Sequence, residues 1–223
     1  MTNRKQIAID GPASAGKSTV AKILAEKLGF VYCDTGAMYR SLTLVALNNK
    51  VETNQEEALL DLLNGISITF KQMADGQHVF IDDQDVTTQI RGERVTSYVS
   101  EVSSFKSVRE EMVRRQQKLA DKESIIMDGR DVGTVILPDA DLKVFLVASV
   151  DERAERRFKE NKSKGMTVDF SGIKADIIRR DEYDMTRKNS PLTQANDAIL
   201  VDTTGLSIAE VVLEIEKLAK RNF

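Results

Sequence analysis

The sequence has little cysteine and no long apolar run. Its 223 residues include a single cysteine, Cys33, so no disulfide can form within the chain. A reducing, cytoplasmic location is what we expect from this cysteine usage. The opening residues, MTNRKQIAIDG, turn polar after a few apolar positions, which predicts neither a signal peptide nor a membrane-spanning helix there.

The sequence also lacks an excess of positive charge. Thirty-two lysines and arginines stand against 35 acidic residues, for a net charge of −3 at pH 7. Nucleic-acid-binding domains usually carry a strongly basic surface, so we predict no nucleic-acid partner. A small anionic ligand is compatible with this balance, because a few clustered arginines outweigh it locally. The single histidine, His78, is predicted to be a surface residue with no catalytic role.

Five short apolar runs are predicted to form buried strands, and segments with helical periodicity separate them. Continuously apolar strands alternating with helices are typical of a parallel sheet covered on both faces. The sequence therefore predicts a three-layer α/β fold with a central parallel sheet of about five strands. The predicted strands are residues 6–10, 30–33, 124–128, 142–148 and 198–202.

Two segments depart from this alternation. Residues 66–86 alternate apolar and polar side chains around two turn signals, which predicts a small antiparallel sheet inserted into the α/β core. Residues 151–190 have a helical pattern and are rich in arginine and lysine.

The stretch GPASAGKST follows the first predicted strand and precedes a predicted helix. It fits the pattern G-x-x-x-x-G-K-[ST], in which small residues let backbone N–H groups surround a phosphate at a helix N-terminus. Lys17 can then reach the β- and γ-phosphates, the Ser18 hydroxyl can bind Mg²⁺, and Thr19 can contact the α-phosphate. The predicted donor-binding residues are Gly11, Pro12, Ala13, Ser14, Ala15, Gly16, Lys17, Ser18 and Thr19.

A phosphate-binding loop identifies a nucleoside triphosphate as the ligand but leaves the reaction open. A GTPase requires the guanine-reading motif N-K-x-D, and the run at residues 161–164 lacks its carboxylate. Asp128 ends the third predicted strand, where a carboxylate can hold Mg²⁺ through water. Arg40 and Arg130 also follow strand ends, where ligands bind in open α/β sheets, and guanidinium groups suit a second phosphate.

Several motifs together resemble the bacterial cytidylate kinase family. They are the phosphate-binding loop, DTGAMYR, VSSFKSVREEMVRRQ, IIMDGRDVGTVILPDADLKVFL and RRDEYDMTR, and the resemblance extends from Ile7 to about Lys217. It implies a P-loop nucleoside monophosphate kinase that uses ATP and Mg²⁺ to phosphorylate CMP and dCMP. It also implies small-molecule partners, no membrane association and a monomeric chain.

The resemblance also assigns residues by position. Asp131 should accept from the exocyclic amine of cytosine, Asp184 from sugar hydroxyls, and Lys17, Arg130, Arg157 and Arg187 should supply catalytic positive charge. The implied acceptor-binding residues are Thr35, Arg40, Ser100, Arg109, Arg130, Asp131, Arg180, Asp184 and Arg187. A short lid should bring Arg153, Arg156 and Arg157 to the donor, and the metal should be held by Ser18 and Asp128.

The resulting division of the chain has three parts. Residues 1–35, 104–150 and 191–223 are expected to form the core, residues 36–103 the monophosphate-binding region with its β insert, and residues 151–190 the lid with its flanking helices. Two alternatives to a cytidylate kinase stay open at this point: a kinase for another monophosphate such as UMP, and a regulatory protein that binds nucleotide and hydrolyses it slowly or not at all.

Overall fold

The computed structural model describes residues 4–163 and 165–223. The chain divides into two compact units: the described residues of 1–32 and 120–223 form the first, and residues 33–119 form the second. The expectation of no signal peptide falls partly on residues 1–3, which lie outside the described residues.

The described residues form eight strands and eight α-helices. The strands of the described residues are β1 (Gln6–Asp10), β2 (Val31–Asp34), β3 (Ile68–Met73), β4 (Gly76–Ile81), β5 (Gln84–Asp85), β6 (Ile125–Gly129), β7 (Leu142–Val147) and β8 (Ile199–Asp202). The α-helices are α1 (Lys17–Leu28), α2 (Thr35–Asn48), α3 (Glu56–Asn64), α4 (Glu93–Val102), α5 (Lys106–Ala120), α6 (Val150–Ser163), α7 (Phe170–Thr186) and α8 (Ile208–Asn222). Among the helices in this described part of the chain, none has both the length and the apolar character needed to cross a membrane.

The central sheet is parallel and has the strand order β2-β6-β1-β7-β8. β1 lies in the middle, with Gln6 opposite Ile125 of β6 and Ile7 opposite Leu142 of β7. Each of the five predicted apolar runs forms one of these strands. The predicted α/β fold with five parallel strands is therefore confirmed.

Both faces of the sheet are buried, which explains why its strands are apolar at consecutive positions. Ile7 and Ile9 of β1 pack in one cluster with Leu24 of α1 and Ile215 of α8. Ala8, whose side chain points to the opposite face, is also fully buried. The C-terminal residue of β1, Asp10, is polar and is also buried.

Helix α1 is delimited by glycines at both ends. Gly16 precedes it with φ 91° and Gly29 follows it with φ 67°, both in the left-handed region that favours glycine. Lys17 is consequently the first residue of the helix.

The second unit contains helices α2 to α5 and a small antiparallel sheet. The sheet has the order β3-β4-β5, with Phe70 opposite Val79 and Phe80 opposite Asp85. This confirms the antiparallel insert predicted from the two-residue periodicity. Arg115 of α5 donates to the carbonyl oxygens of Leu63 and Ile66, at 2.7 and 2.9 Å, and so fastens α5 to the end of α3.

His78 contacts two segments of this small sheet, the turn between β3 and β4 and the short strand β5. Its Nδ1 lies 2.5 Å from the Asp85 carboxylate and its Nε2 lies 2.9 Å from Asp75. Both ring nitrogens face carboxylate oxygens, an arrangement that suits an imidazole carrying two protons. The hydrogen bond to Asp85 first, and then that to Asp75, raise the pKa of His78 above its usual 6.5.

We expect this contact to make the second unit more stable in acid than in base. Because the pKa of His78 is higher in the folded protein than in the unfolded chain, its contribution to stability is complete below pH 6.5. That contribution is lost as the pH rises through the pKa of the folded protein. Because His78 is the only histidine in the chain, its imidazole signal can be followed by NMR without assignment. The titration midpoint should lie above 6.5 and should fall in Asp85→Asn but not in Asp83→Asn, a matched change in the turn that precedes β5. A midpoint at or below 6.5 would contradict the arrangement.

Candidate active site

The loop between β1 and α1 has the backbone of a phosphate-binding loop. Gly11 has φ 144°, and a Cβ at this position would overlap the carbonyl oxygen of Leu146 in β7. Ser14 is also left-handed, with φ 61°, although it is not a glycine. The small side chains of Ala13 and Ala15 are buried. The sequence GPASAG therefore fits a loop that turns tightly against the sheet and leads its N–H groups toward the start of α1.

Lys17 lies buried at the start of α1 among charged groups. Its ammonium donates to the carbonyl oxygen of Pro12 at 2.7 Å. Burial, and then the positive charge of Arg130, lower the pKa of Lys17 to about 7, while Asp128 and Asp10 oppose this. The side chain is therefore close to the point of losing its charge in the absence of an anionic ligand.

The two predicted metal-binding residues lie in direct contact. The Ser18 hydroxyl donates to Oδ2 of Asp128 at 2.8 Å, and the Tyr32 hydroxyl donates to Oδ1 at 2.7 Å. Mg²⁺ prefers such oxygen ligands and usually keeps several waters and substrate phosphates, so one hydroxyl and one carboxylate fit it. The described residues contain no group of three or more His, Cys, Asp or Glu side chains that could hold a metal alone.

Asp10 ends β1 and contacts the loop that follows β6. Its Oδ1 accepts from the N–H of Val132 at 2.8 Å and its Oδ2 from the N–H of Gly133 at 2.7 Å. Burial raises the pKa of Asp10 to about 6 in spite of these two hydrogen bonds, and the nearby Asp131 adds to the increase.

Four of the predicted acceptor residues of the first unit form a charged cluster. Arg130 Nε donates to Asp184 at 2.8 Å, and Arg187 lies 3.8 Å from both Asp131 and Asp184. Burial favours the protonated form of Asp184, but Arg130 first and then Arg187 and Arg180 hold its pKa below the usual range. The side chains of Asp131, Asp184 and Arg187 are 4–6% exposed. Such a cluster of buried opposite charges is suited to exchange partners with an anionic ligand.

The three predicted lid arginines occupy different settings on α6. Arg153 is buried: it pairs with Asp181 of α7 at 2.6 Å and donates to the carbonyl oxygen of Ala13 in the phosphate-binding loop at 3.2 Å. Arg156 binds Thr203 through both terminal nitrogens, and its Nη1 lies close to Gly16. Arg157 is half-buried.

The second unit holds the other four predicted acceptor residues. Thr35 and Arg40 both lie on α2, and Arg40 pairs with the Asp34 carboxylate at 2.7 Å. The same carboxylate caps α2 by accepting from the N–H of Ala37. Burial opposes ionisation of Asp34, but Arg40 and the N–H of Ala37 keep its pKa lowered.

The remaining two residues, Ser100 and Arg109, lie on α4 and α5. Arg109 is almost fully buried, donates to the carbonyl oxygen of Ser103 at 2.8 Å and lies over the ring of Tyr39, 5.3 Å from its centre. Ser103 follows the last turn of α4, which contains Ser100. Arg109 is thus held rigidly beside α4.

Sequence reasoning missed three residues that position the predicted ones. In the sequence, Tyr32 and Asp10 belong to predicted apolar strands, and Asp34 is the first residue of the motif DTGAMYR. A polar residue at the C-terminal end of a predicted parallel strand was the available signal, since those ends meet at one edge of the sheet.

The chain resembles known proteins over almost its entire length. Residues 7–221 match the sequence profile of the family described as cytidylate kinase. A cytidylate kinase from Enterococcus faecalis is 57% identical over 96% of this chain and 95% of its own length. One from Leuconostoc mesenteroides subsp. mesenteroides is also 57% identical, over 100% of this chain and 99% of its own.

The solved structures support the fold. An uncharacterized protein from Eubacterium ventriosum matches with a TM-score of 0.56 at 14% identity, covering 98% of this chain and 99% of that chain. A likeness at this identity concerns the architecture alone.

Replacement of Ser14 by glycine should stabilise the protein. A left-handed backbone costs a non-glycine residue roughly 1 kcal/mol, which glycine does not incur. We therefore expect Ser14→Gly to raise the free energy of unfolding by about 1 kcal/mol in chemical denaturation. Ala13→Gly is the matched control, because Ala13 does not have a positive φ and should lose stability instead. Equal losses in both variants would contradict the strain at residue 14.

Proposed function

Because the chain belongs to the cytidylate kinase family, we propose that it transfers the γ-phosphoryl group of ATP to CMP or dCMP, giving ADP and CDP or dCDP. The observation that supports this most directly lies in the first unit. There Lys17, which directly follows the phosphate-binding loop, interacts electrostatically with Arg130 and Asp184, so a residue of the donor site lies near the acceptor cluster.

In this proposal the donor is bound by the loop of residues 11–16 and by the start of α1. Backbone N–H groups surround the phosphates, Lys17 reaches the β- and γ-phosphates and Thr19 the α-phosphate. Ser18 and Asp128 would hold Mg²⁺, the latter through water, and the metal would neutralise charge on the β- and γ-phosphates. Arg156 and Arg157 would approach the donor directly. Arg153, which is tied to Asp181 and Ala13, would instead support the loop.

The acceptor would be read by its base, its sugar and its phosphate. Asp131 accepts from the exocyclic amine of cytosine, with Ser100 and Arg109 completing base recognition, and Asp184 accepts from sugar hydroxyls. The phosphate is bound by guanidinium groups and Thr35. The guanidinium groups are Arg40, Arg130, Arg180 and Arg187.

The chemical step requires orientation and positive charge rather than a base. An oxygen of the CMP phosphate is already anionic at neutral pH, so it forms the new bond to the γ-phosphorus without losing a proton. The bond from that phosphorus to the β,γ-bridging oxygen breaks, and ADP leaves with the electron pair. Lys17, Arg130, Arg157 and Arg187 would stabilise the charge on the group in transit.

The setting of the enzyme is part of the proposal. We expect a monomer in the cytoplasm whose partners are nucleotides rather than nucleic acid or membrane. The functional division also remains a proposal, with residues 36–103 binding the monophosphate, residues 151–190 forming the lid, and the rest forming the core.

A panel of acceptors tests the proposed reaction. With Mg-ATP, CMP and dCMP should be phosphorylated far faster than UMP or AMP. A preference for UMP would indicate a different kinase of this class. ADP release that ignores all four acceptors would indicate a nucleotide-hydrolysing regulator and contradict the proposal.

The role of Asp131 is tested by the ratio of kcat/KM for CMP to that for UMP. Uracil carries a carbonyl where cytosine carries the amine, and a buried carboxylate leaves that carbonyl without a donor. Asp131→Ala should lower the ratio by about 10- to 100-fold, corresponding to one charged hydrogen bond. Asp139→Ala changes an exposed aspartate in the same segment and should leave the ratio intact. An unchanged ratio in Asp131→Ala would remove this residue from base recognition.

Binding of the donor should be accompanied by proton uptake at pH 8. Lys17, with its pKa near 7, is largely neutral there, and bound phosphates raise that pKa so that the side chain takes up a proton. Calorimetric titrations of ATP in two buffers of different ionisation enthalpy should reveal up to about one proton per ligand. Lys17→Arg, which is always charged, should reduce this uptake, whereas Lys27→Arg on the same helix should preserve it. Lys17→Ala should also lose ATP turnover.

A further inference from the structure

We infer that Asp10 is a positioning residue for acceptor specificity: it caps the turn after Asp131 in place of the Asp131 carboxylate, which can then read the base. The inference rests on the proposed function, in which Asp131 recognises cytosine. Both oxygens of the Asp10 carboxylate accept from backbone N–H groups, so this role requires no contact between Asp10 and either substrate.

The turn at residues Val132–Ile136 has an unusual cap. Asp131 occupies the position before its first residue, where an aspartate commonly accepts from backbone N–H groups of the following turn. Here the Asp131 side chain makes no such capping bond. The N–H groups of Val132 and Gly133 are bound instead by the two carboxylate oxygens of Asp10, at 2.8 and 2.7 Å.

The capping of this turn by Asp10 in place of Asp131 has a consequence for the Asp131 side chain. A carboxylate that caps the turn following it is directed toward that turn, and its oxygens accept hydrogen bonds from the N–H groups there. Since Asp10 takes that role, the Asp131 carboxylate lies 3.8 Å from Arg187 in the charged cluster. Asp10 thereby determines which way Asp131 points.

Asp10 also connects this turn to the donor loop. It lies opposite Gly129, the last residue of β6, and is followed directly by Gly11. Beyond Gly129 the strand pairing ends, so the hydrogen bonds to Val132 and Gly133 continue the connection between β1 and the chain that carries Arg130 and Asp131. Asp10 is thus bonded to the chain beside Asp131 and is also adjacent to the donor loop.

Gly133 provides the room for this contact. A Cβ at residue 133 would lie 3.4 Å from Oδ2 of Asp10 and 3.2 Å from Cδ of Lys143. A side chain as small as alanine would therefore touch the Asp10 carboxylate and be crowded by Lys143. Gly133→Ala offers a second, independent way to disturb the cap.

The test is the ratio of kcat/KM for CMP to that for UMP in Asp10→Asn. The asparagine has the same shape, but its amide nitrogen faces one of the two N–H groups and cannot accept from it. The turn should then compete for the Asp131 carboxylate, and the ratio should fall by about tenfold, the equivalent of one hydrogen bond. Effects on ATP binding cancel, because both acceptors are assayed with the same donor.

Asp141→Asn is the matched control. Asp141 accepts from the N–H of Gln6 at 2.9 Å, at the other end of β1, and pairs with Lys5. It should lose some thermal stability while keeping the ratio of the parent protein. Gly133→Ala should also lower the ratio. If Asp10→Asn does not fold, the result for Gly133→Ala tests the positioning role of Asp10 instead.

The outcomes separate this inference from the proposed function. If the parent protein does not phosphorylate CMP, the proposed function fails. If it does, and folded Asp10→Asn or, in its place, Gly133→Ala keeps the parent ratio, the positioning role is overturned. An equal fall in Asp141→Asn would likewise overturn it, since the effect would then follow from any weakening of β1.

Discussion

The burial of Lys17 is the constraint on which the first unit depends. An ammonium group withdrawn from water at the start of α1 is stable only beside anionic partners, and Asp10, Asp128 and Asp184 provide them. These carboxylates come from β1, β6 and α7, which the parallel sheet and its crossovers bring to one place. The same carboxylates each bind a second group: Asp128 binds Ser18, Asp184 binds Arg130, and Asp10 binds the turn after Asp131. The charge that prepares the site for phosphate thus also organises the residues around it.

The charged side chains of the candidate site are paired with other groups of the protein. Arg130 and Arg187 contact Asp184, Arg40 contacts Asp34, and Lys17 binds a main-chain carbonyl of its own loop. Phosphate groups compete well for such cations because each guanidinium can form two parallel charged hydrogen bonds. Under the proposed function, the phosphates of the two nucleotides would replace these protein partners.

Much of the fold and part of the site could be predicted from the sequence, for local reasons. The strand 6–10 and the loop at 11–16 are contiguous and carry their own pattern, as does the alternating segment 66–86, and the resemblance to the cytidylate kinase family is confirmed. The role of Asp10 could not be predicted in this way, because its partners lie 122 and 123 residues away. Tyr32 is separated from Asp128 by 96 residues and reads as an ordinary strand aromatic. Arg153 is predicted to belong to the lid, and its partner Asp181 within the same segment depends on how α6 packs on α7. A sequence pattern gives the residue types at these positions, but it does not show which of these distant residues are in contact in the folded protein.

The central place of β1 in the sheet affects the order in which the protein can form. Its backbone pairs on one side with residues 125–129 and on the other with residues 142–145, so a growing chain offers it no partner until residues 125–129 have been synthesised. Closing loops of that length carries an entropic cost that local helices do not incur. Residues 33–119, by contrast, are contiguous and form a compact unit of their own. The phosphate-binding loop therefore precedes both partner strands of β1 by more than 100 residues, and it can acquire its geometry only after those strands have been synthesised.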